Sequence, residues 1–409
     1  MKLTDLQQQM LEGQQGECRA WAMRFLVETG QALGADQLTP IRYAFLMADT
    51  DAMGEAGINF LEQLAETEPK QRRPRASLFL ESRQTSSELL KLGLPAWFMA
   101  LDQRRMAAIR RLGCNMDYSH VNNHSVPAPC FGESIAMGST PSAIYANSAL
   151  GARTNFEAGP AGLAAAIAGF VPRWGLHLEL NRRPQRVFEI RWTPKSLAEW
   201  GALGALIGQQ LDSGEQIPLI RGVSQHPGAL ALSHLGASMA GHGAVGMFHI
   251  EGVTPEAERH DHQTLPVQLL ESSAVEQLLS TESIRDEALD LVVIGAPQMS
   301  WEELLYLEHL LHGKTISSSV TMLAFVDHGT LEAARVMGVD KRLRQSGCQL
   351  LDGIDYFQSG SEPIRRQNGW HVALAPSLKL SNILNGAGYR AASADLENCV
   401  NSAVAGRVL

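Results

Sequence analysis

Apolar residues along this chain gather into runs of strand length, separated by stretches with helical spacing. Residues 5–32 predict one or two helices, with Leu6, Met10, Trp21, Phe25 and Leu26 on the buried side and Thr4 as a cap. IRYAFLMA, Ile41–Ala48, predicts a strand; Ala56–Leu64 predicts a helix, ASLFLES a second strand, and SSELLKLGLP a helix stopped at Pro95. Ser142–Ala149 and Ala161–Phe170 predict helices of very small residues. His177–Leu180 and Arg186–Trp192 predict strands, and Pro194–Gly208 contains another helix. From Ile217 the alternation sharpens. IPLIRGV, GAVGMFHIEG, Ala288–Gly295, Thr321–Asp327, Cys348–Leu351 and His371–Pro376 predict strands. Helices are predicted over Ala229–Ala240, Trp301–Leu311, Leu331–Met337 and Ala394–Ala405. That order implies an α/β fold with open, mainly parallel sheets flanked by helices. Soft divisions give an N-terminal region 1–110, a loop-rich central region 111–270 and a C-terminal parallel-sheet domain 271–409.

Polar residues interrupt this pattern most in Phe131–Arg183, where Glu133, Ser142, Asn147, Arg153, Asn155, Glu157, Arg173, His177 and Arg182 stand among glycines and small apolar residues. Two readings fit. One is a buried structural network that pins loops; the other is a pocket for a small, anionic, oxygen-rich molecule. Residues 113–142, with little periodicity, predict a functional loop. Parallel sheets bind ligands beyond the carboxyl ends of their strands. That rule marks Arg221 and Gly222, His249 and Glu251, Gly295–Gln298, Asp327 and His328, and Ser377–Lys379. Arg or Lys at such ends would hold a carboxylate or phosphate, and His or Glu could move a proton.

Composition narrows the classes. The 409 residues allow two or three domains, and 45 % hydrophobic with 19 % charged residues describes a globular chain. A net charge of -9 without a basic stripe argues against nucleic acid. The first residues hold no apolar leader, and no stretch of about 20 apolar residues predicts a membrane span. Five scattered cysteines form neither a disulfide framework nor a zinc spacing, which points to the cytoplasm. GxGxxG after a strand, GxxxxGK[ST], HExxH and GxSxG are absent. The pairs His120/His124 and His260/His262 are better read as loop hydrogen-bonding groups than as metal ligands.

Several segments resemble the large subunit, or large domain, of the aconitase X family. They are MLEGQQGE ending at Glu17, GEAGINFLEQLA at Gly54–Ala65, FGESIA at Phe131–Ala136, YANSALGARTN at Tyr145–Asn155 and GLHLELNR at Gly175–Arg182. FHIEGVTPEA at Phe248–Ala257, VVIGAPQMSWEEL at Val292–Leu304 and ENCVNSAVAG at Glu397–Gly406 continue the likeness. The resemblance implies an aconitase-like large subunit and a hydro-lyase (dehydratase) acting on a small hydroxy acid such as cis-3-hydroxy-L-proline or mevalonate 5-phosphate. It also implies a separate small subunit that brings a serine base, because this chain stops at Leu409 without that component. The chain departs from the family where the iron or iron-sulfur centre would be held. SHVNN stands for a TCTPY-like loop, Gly295-Ala-Pro-Gln298 for GCPH, and Asp352-Gly-Ile354 for a DTC-like motif; Met137-Gly-Ser-Thr140 replaces WAES. No such centre is therefore expected, and the metal set is none. His120, His249 and Glu251 are the expected catalytic groups, and Asn147, Arg153, Asn155, Glu157, Ser377 and Lys379 the expected substrate-binding groups. The alternatives are an isomerase, or a catalytically inactive or cofactor-free homologue that binds a small anionic ligand for regulation.

Overall fold

Three all-parallel sheets succeed one another along the chain in the computed structural model, which describes residues 1–81, 83–116 and 128–409. The first has the strand order Ser77–Leu80, Tyr43–Leu46, Ala136–Met137. Its core runs from Met23 and Leu26 through Leu61 and Ile109 to Leu163. The helix Pro160–Ala168 is built almost wholly from small residues, so the helix Glu17–Ala32 packs directly on it. An antiparallel ribbon, Leu38–Pro40 with Phe170–Pro172, closes this unit.

The second sheet has the order His249–Ile250, Pro218–Arg221, Arg186–Ile190, Val267–Leu270. It is covered by the helices Leu197–Gln210 and Gly228–Gly243, which cross at very short range. A Cβ on Gly204 would lie 2.1 Å from the Leu235 carbonyl oxygen, so any larger residue there would push the helices apart. The third sheet has the order Cys348–Leu351, Thr321–Val326, Leu291–Met299, Val372–Ala375, Arg390–Ser393. Its central strands are buried on both faces, which is why VVIG and VALA read as unbroken apolar runs.

The expected parallel sheets are present, with differences of detail. His177–Leu180 is not a strand but parts of two 3₁₀ turns, Gly175–His177 and Glu179–Arg182. The Asn155 side chain takes the place of a ladder partner, accepting from Leu176 N at 2.8 Å and donating to the Trp174 carbonyl at 3.1 Å. The segment after Ser86 forms a 3₁₀ turn, Ser87–Leu92, before Pro95. GAVGMFHIEG yields only His249–Ile250 as strand, because Phe248 N donates to Ser148 Oγ at 2.9 Å instead of to a neighbouring strand. The boundary placed after residue 110 falls inside the first unit, since Ala136–Met137 pairs with the strand Tyr43–Leu46. The boundary after residue 270 falls inside the second unit, since the helix Ser272–Leu278 packs on Leu197–Gln210. Among the described residues no helix is long and apolar enough to cross a membrane.

Candidate active site

In the first and third sheets the earliest strand gains neighbours on one side and then the other, leaving a crevice where the order switches. These crevices lie between Tyr43–Leu46 and Ala136–Met137, and between Leu291–Met299 and Val372–Ala375. The residues just past those strand ends meet. Met47 and Gly138–Ser142 from the first unit face Ala296–Gln298, Asp355 and Lys379 from the third, with Ser233 of the second, around a cavity of about 260 Å³.

Lys379 is the second residue of the helix Leu378–Gly386 and is 9 % exposed, with Nζ 3.4 Å from Thr140 Oγ1. Burial brings its pKa down to about 8, against the opposing pull of the Asp355 and Glu81 carboxylates. Ser377 caps the same helix, accepting from Leu380 N, and its hydroxyl donates to the Ala296 carbonyl at 2.9 Å. Helix and strand end are thereby tied together. Asp355 is buried, and its Oδ1 has no hydrogen-bond partner.

Behind this wall stands Glu81, fully buried at the end of the strand Ser77–Leu80. Its Oε1 lies 3.1 Å from Ser139 Oγ, which is itself 2.6 Å from Ser142 Oγ; its Oε2 has no partner. Burial raises the Glu81 carboxyl to about 7, opposed by hydrogen bonds from Ser142 and Ser139. Only glycine fits at residue 138. A Cβ there would lie 2.5 Å from the Phe45 carbonyl oxygen, 2.6 Å from Met47 N and 2.9 Å from Glu81 Oε2. One cavity therefore gathers a serine pair backed by a carboxyl raised to about 7, an unpartnered carboxylate oxygen, and a buried ammonium lowered to about 8. That set can accept and deliver protons at neutral pH. A second cavity of about 470 Å³ also touches Pro297, but its His234 and Glu303 satisfy each other at 3.2 Å.

Of the residues marked in the sequence, Ser142, Ala296–Gln298 and Lys379 line the cavity and Ser377 supports it. His120 lies outside the described residues. Asn147, Arg182, Asn155, Arg153, Glu157 and His249 lie instead along the seam between the first and second units. Asn147 donates to the carbonyls of Thr154 and Gly246 and accepts from Thr154 N and Arg182 Nη1. Arg182 forms a fully buried pair with Glu256, with Nη2 to Oε1 at 2.8 Å and Nε to Oε2 at 2.9 Å. The Asn155 amide is spent on its turn, and Arg153 pairs with Glu179. Glu157 is buried, with Oε1 3.7 Å from His177 Nε2. His249 is not the acid expected of it. Burial holds its pKa down to about 4, so the ring stays neutral, and its Nε2–H donates to the Arg182 carbonyl at 2.7 Å. Glu251 lies on the surface between Arg221 and His262, 3.3 Å from each. The network reading thus describes most of the polar stretch. Glu81, Ser139 and Asp355 were missed, although the strand-end rule applied to ASLFLES and to Cys348–Leu351 points at Glu81 and toward Asp355.

Comparison with known proteins bears on this arrangement. Residues 1–180, 184–279 and 289–405 match the first, second and third domains of aconitase X in turn. The phosphomevalonate dehydratase large subunit of Methanothermobacter thermautotrophicus is 30 % identical over 93 % of this chain and 93 % of its own length. The chain belongs to the aconitase X family. The phosphomevalonate dehydratase large subunit of Thermococcus kodakarensis is 28 % identical over 98 % of this chain and 100 % of its own length. The cis-3-hydroxy-L-proline dehydratase of Pseudomonas aeruginosa is 28 % identical over 99 % of this chain and 70 % of that enzyme. The crystal structure of Thermococcus kodakaraensis aconitase X in its holo-form superposes with a TM-score of 0.87 at 27 % identity, covering 98 % of this chain and 100 % of that one.

The iron-sulfur centre implied by the family resemblance does not fit the described residues. Ala296 lines the cavity and Ile354 is fully buried; neither side chain has a donor atom. Cys18 and Cys114 are buried in the core of the first unit and Cys348 and Cys399 in that of the third, where desolvation raises their thiol pKa values, and Cys130 is exposed. None of the five lines the cavity. Glu179, Glu256 and His260 approach one another closely enough to hold an ion, but both carboxylates are already paired with arginines.

Proposed function

We propose that this aconitase X chain is the large subunit of a hydro-lyase that removes water from a small hydroxy acid, with the cavity between the three units as its reaction site. The carrying observation is the buried Lys379 ammonium facing Asp355 across a cavity backed by the Ser139–Ser142–Glu81 group. Relatives along the full length of the chain are named dehydratases, of phosphomevalonate or of cis-3-hydroxy-L-proline. In such an elimination the C–H bond beside the carboxylate breaks toward a base and its electrons form the double bond. The C–O bond breaks as the hydroxyl takes a proton and departs as water. Lys379 delivers that proton, its acidity raised by burial, and Asp355 holds the ammonium toward the cavity. A separate small subunit closes the cavity, excludes water and brings the base. On this reading the chain works without the family's iron-sulfur centre, because no cysteine among the described residues lines the cavity.

The test assembles the chain with the small subunit encoded beside it and assays mevalonate 5-phosphate and cis-3-hydroxy-L-proline. Lys379→Met should lower kcat by about 10²–10⁴-fold. In the unmodified enzyme kcat should fall as pH rises through about 8, where Lys379 loses its proton. Activity within a few-fold of normal in Lys379→Met would defeat the assignment. The missing thiolates favour a second reading, a non-catalytic binder of the same acids; tight binding of either acid without turnover would select it.

A further inference from the structure

A cleft of about 370 Å³ opens between the first and third units beside the proposed reaction site. Ten of its thirteen lining residues carry polar or charged side chains, a lining suited to an ionic or hydrated group. Its charges do not cancel. Glu88 is held by Lys91 at 2.6 Å, Arg335 pairs with Glu332, and Asp352 accepts from His328 at 2.8 Å. Arg83 and Arg110 have no anionic partner among the described residues. On the same wall Thr85 is 3 % exposed, and its Oγ1 has no hydrogen-bond partner. A buried hydroxyl left unsatisfied on this wall, beside two guanidinium groups with no anionic partner among the described residues, leaves an acceptor's place in the cleft.

The platform under these groups is rigid. The buried Asp102–Arg105 pair binds the Thr85 amide at 2.9 Å through Asp102 and the Arg83 carbonyl at 2.8 Å through Arg105. Thr50 and the Ala48 carbonyl hold the same pair from the other side. Residues 83–85 are thus fixed in place before any ligand arrives, which lowers the entropic cost of binding.

We propose that this cleft is a binding site for a phosphate group, held by Arg83 and Arg110 with Thr85 Oγ1 as a third donor. Two guanidinium groups match a dianion in charge and offer the planar donor pairs that phosphate oxygens accept. The site bridges two units, because His328, Arg335 and Asp352 face Arg83 and Arg110 across it. It also lies close to the reaction site. Arg83 is two residues from Glu81 and Gly353 two from Asp355, at most about 7 Å along the chain in each case. The phosphate is therefore either that of a phosphorylated hydroxy acid spanning both sites or a free phosphate bound beside the substrate. The binding site itself does not depend on the dehydratase reading.

Calorimetric titration with inorganic phosphate tests it without any turnover. The full chain should bind phosphate more tightly than acetate. Arg83→Gln and Arg110→Gln should each weaken phosphate binding roughly tenfold or more, and Thr85→Val less. The surface variant Arg407→Gln should bind as the unmodified chain does. Arg110 is exposed, so its variant isolates binding from folding. Mutual exclusion of phosphate and mevalonate 5-phosphate would assign the site to the substrate's own phosphate; simultaneous binding would assign it to free phosphate. No phosphate binding, binding no tighter than acetate, affinity unchanged in both arginine variants, or equal loss in Arg407→Gln would each overturn the proposal.

Discussion

Replacing Glu81 with glutamine should convert a pH-dependent weakness of this fold into a constant. The carboxyl is fully buried and its pKa is raised from 4.5 to about 7. Below pH 4.5 both folded and unfolded chains carry the proton, and the stabilisation linked to the raised pKa is fully present. As pH rises the unfolded chain ionises first, and the stabilisation is gone once pH has passed about 7. A displacement of about 2.5 pH units at about 1.4 kcal/mol each puts that loss near 3 kcal/mol. Glutamine keeps the shape, cannot ionise, and can still accept from Ser139 and Ser142. Glu81→Gln should therefore come within about 1 kcal/mol of the unmodified chain near pH 5 and exceed it by up to about 3 kcal/mol near pH 8.5. For a unit the size of the first domain this is roughly 6–12 °C in unfolding temperature. Differential scanning calorimetry of both proteins from pH 5 to 8.5 measures it, because other titrations cancel in the difference. A flat difference across that range, or one that moves in favour of the unmodified chain, would refute the reasoning.

Three further outcomes follow from the geometry. Glu256→Ala leaves the Arg182 guanidinium buried without its counter-charge, and should cost about 3–5 kcal/mol in urea unfolding. Ala296→Gly relieves a non-glycine residue at φ 57 and should change stability by no more than about 1 kcal/mol, seen as a small rise or no change in unfolding temperature. Anaerobically purified protein should be colourless and hold no stoichiometric iron or acid-labile sulfide; one iron per chain, lost on His120→Ala, would contradict the cofactor-free reading.

The elements were legible where burial and period agree. Trp301–Leu311 and Cys348–Leu351 match their expected bounds because a capping box at Ser300 and two-sided burial leave one local solution. His177–Leu180 was misread because alternating Leu and polar residues suit a strand, while a side chain 20 positions earlier, Asn155, imposes the turns. The site was legible at Ser377–Lys379 and Gly295–Gln298 through the strand-end rule. The Asn147, Arg153 and Asn155 stretch misled because a buried network and a ligand pocket call for the same residue types. Only the folded arrangement reveals whether those donors are already spent on backbone carbonyls. Glu81 was hidden in ASLFLES, where a single acidic residue at a strand end reads as a solvated turn.

The same distinction bears on whether the cavity still serves chemistry. At the strand end that resembles GCPH, Ala296 stands where the resemblance implies a cysteine, and its backbone is in a conformation unfavourable to alanine, φ 57. It is held there by the Ser377 hydroxyl on the Ala296 carbonyl, while Gln298 Nε2 donates to the Gly353 carbonyl at 2.8 Å. Those two bonds fasten the central strand of the third sheet to the helix bearing Lys379 and to the segment leading to Asp355. A site decaying into plain core would have no reason to keep a left-handed alanine, an unpartnered carboxylate oxygen and a buried ammonium around one cavity. Each is costly when buried without a ligand to use it. Their joint presence supports the proposal that this cavity serves proton transfer.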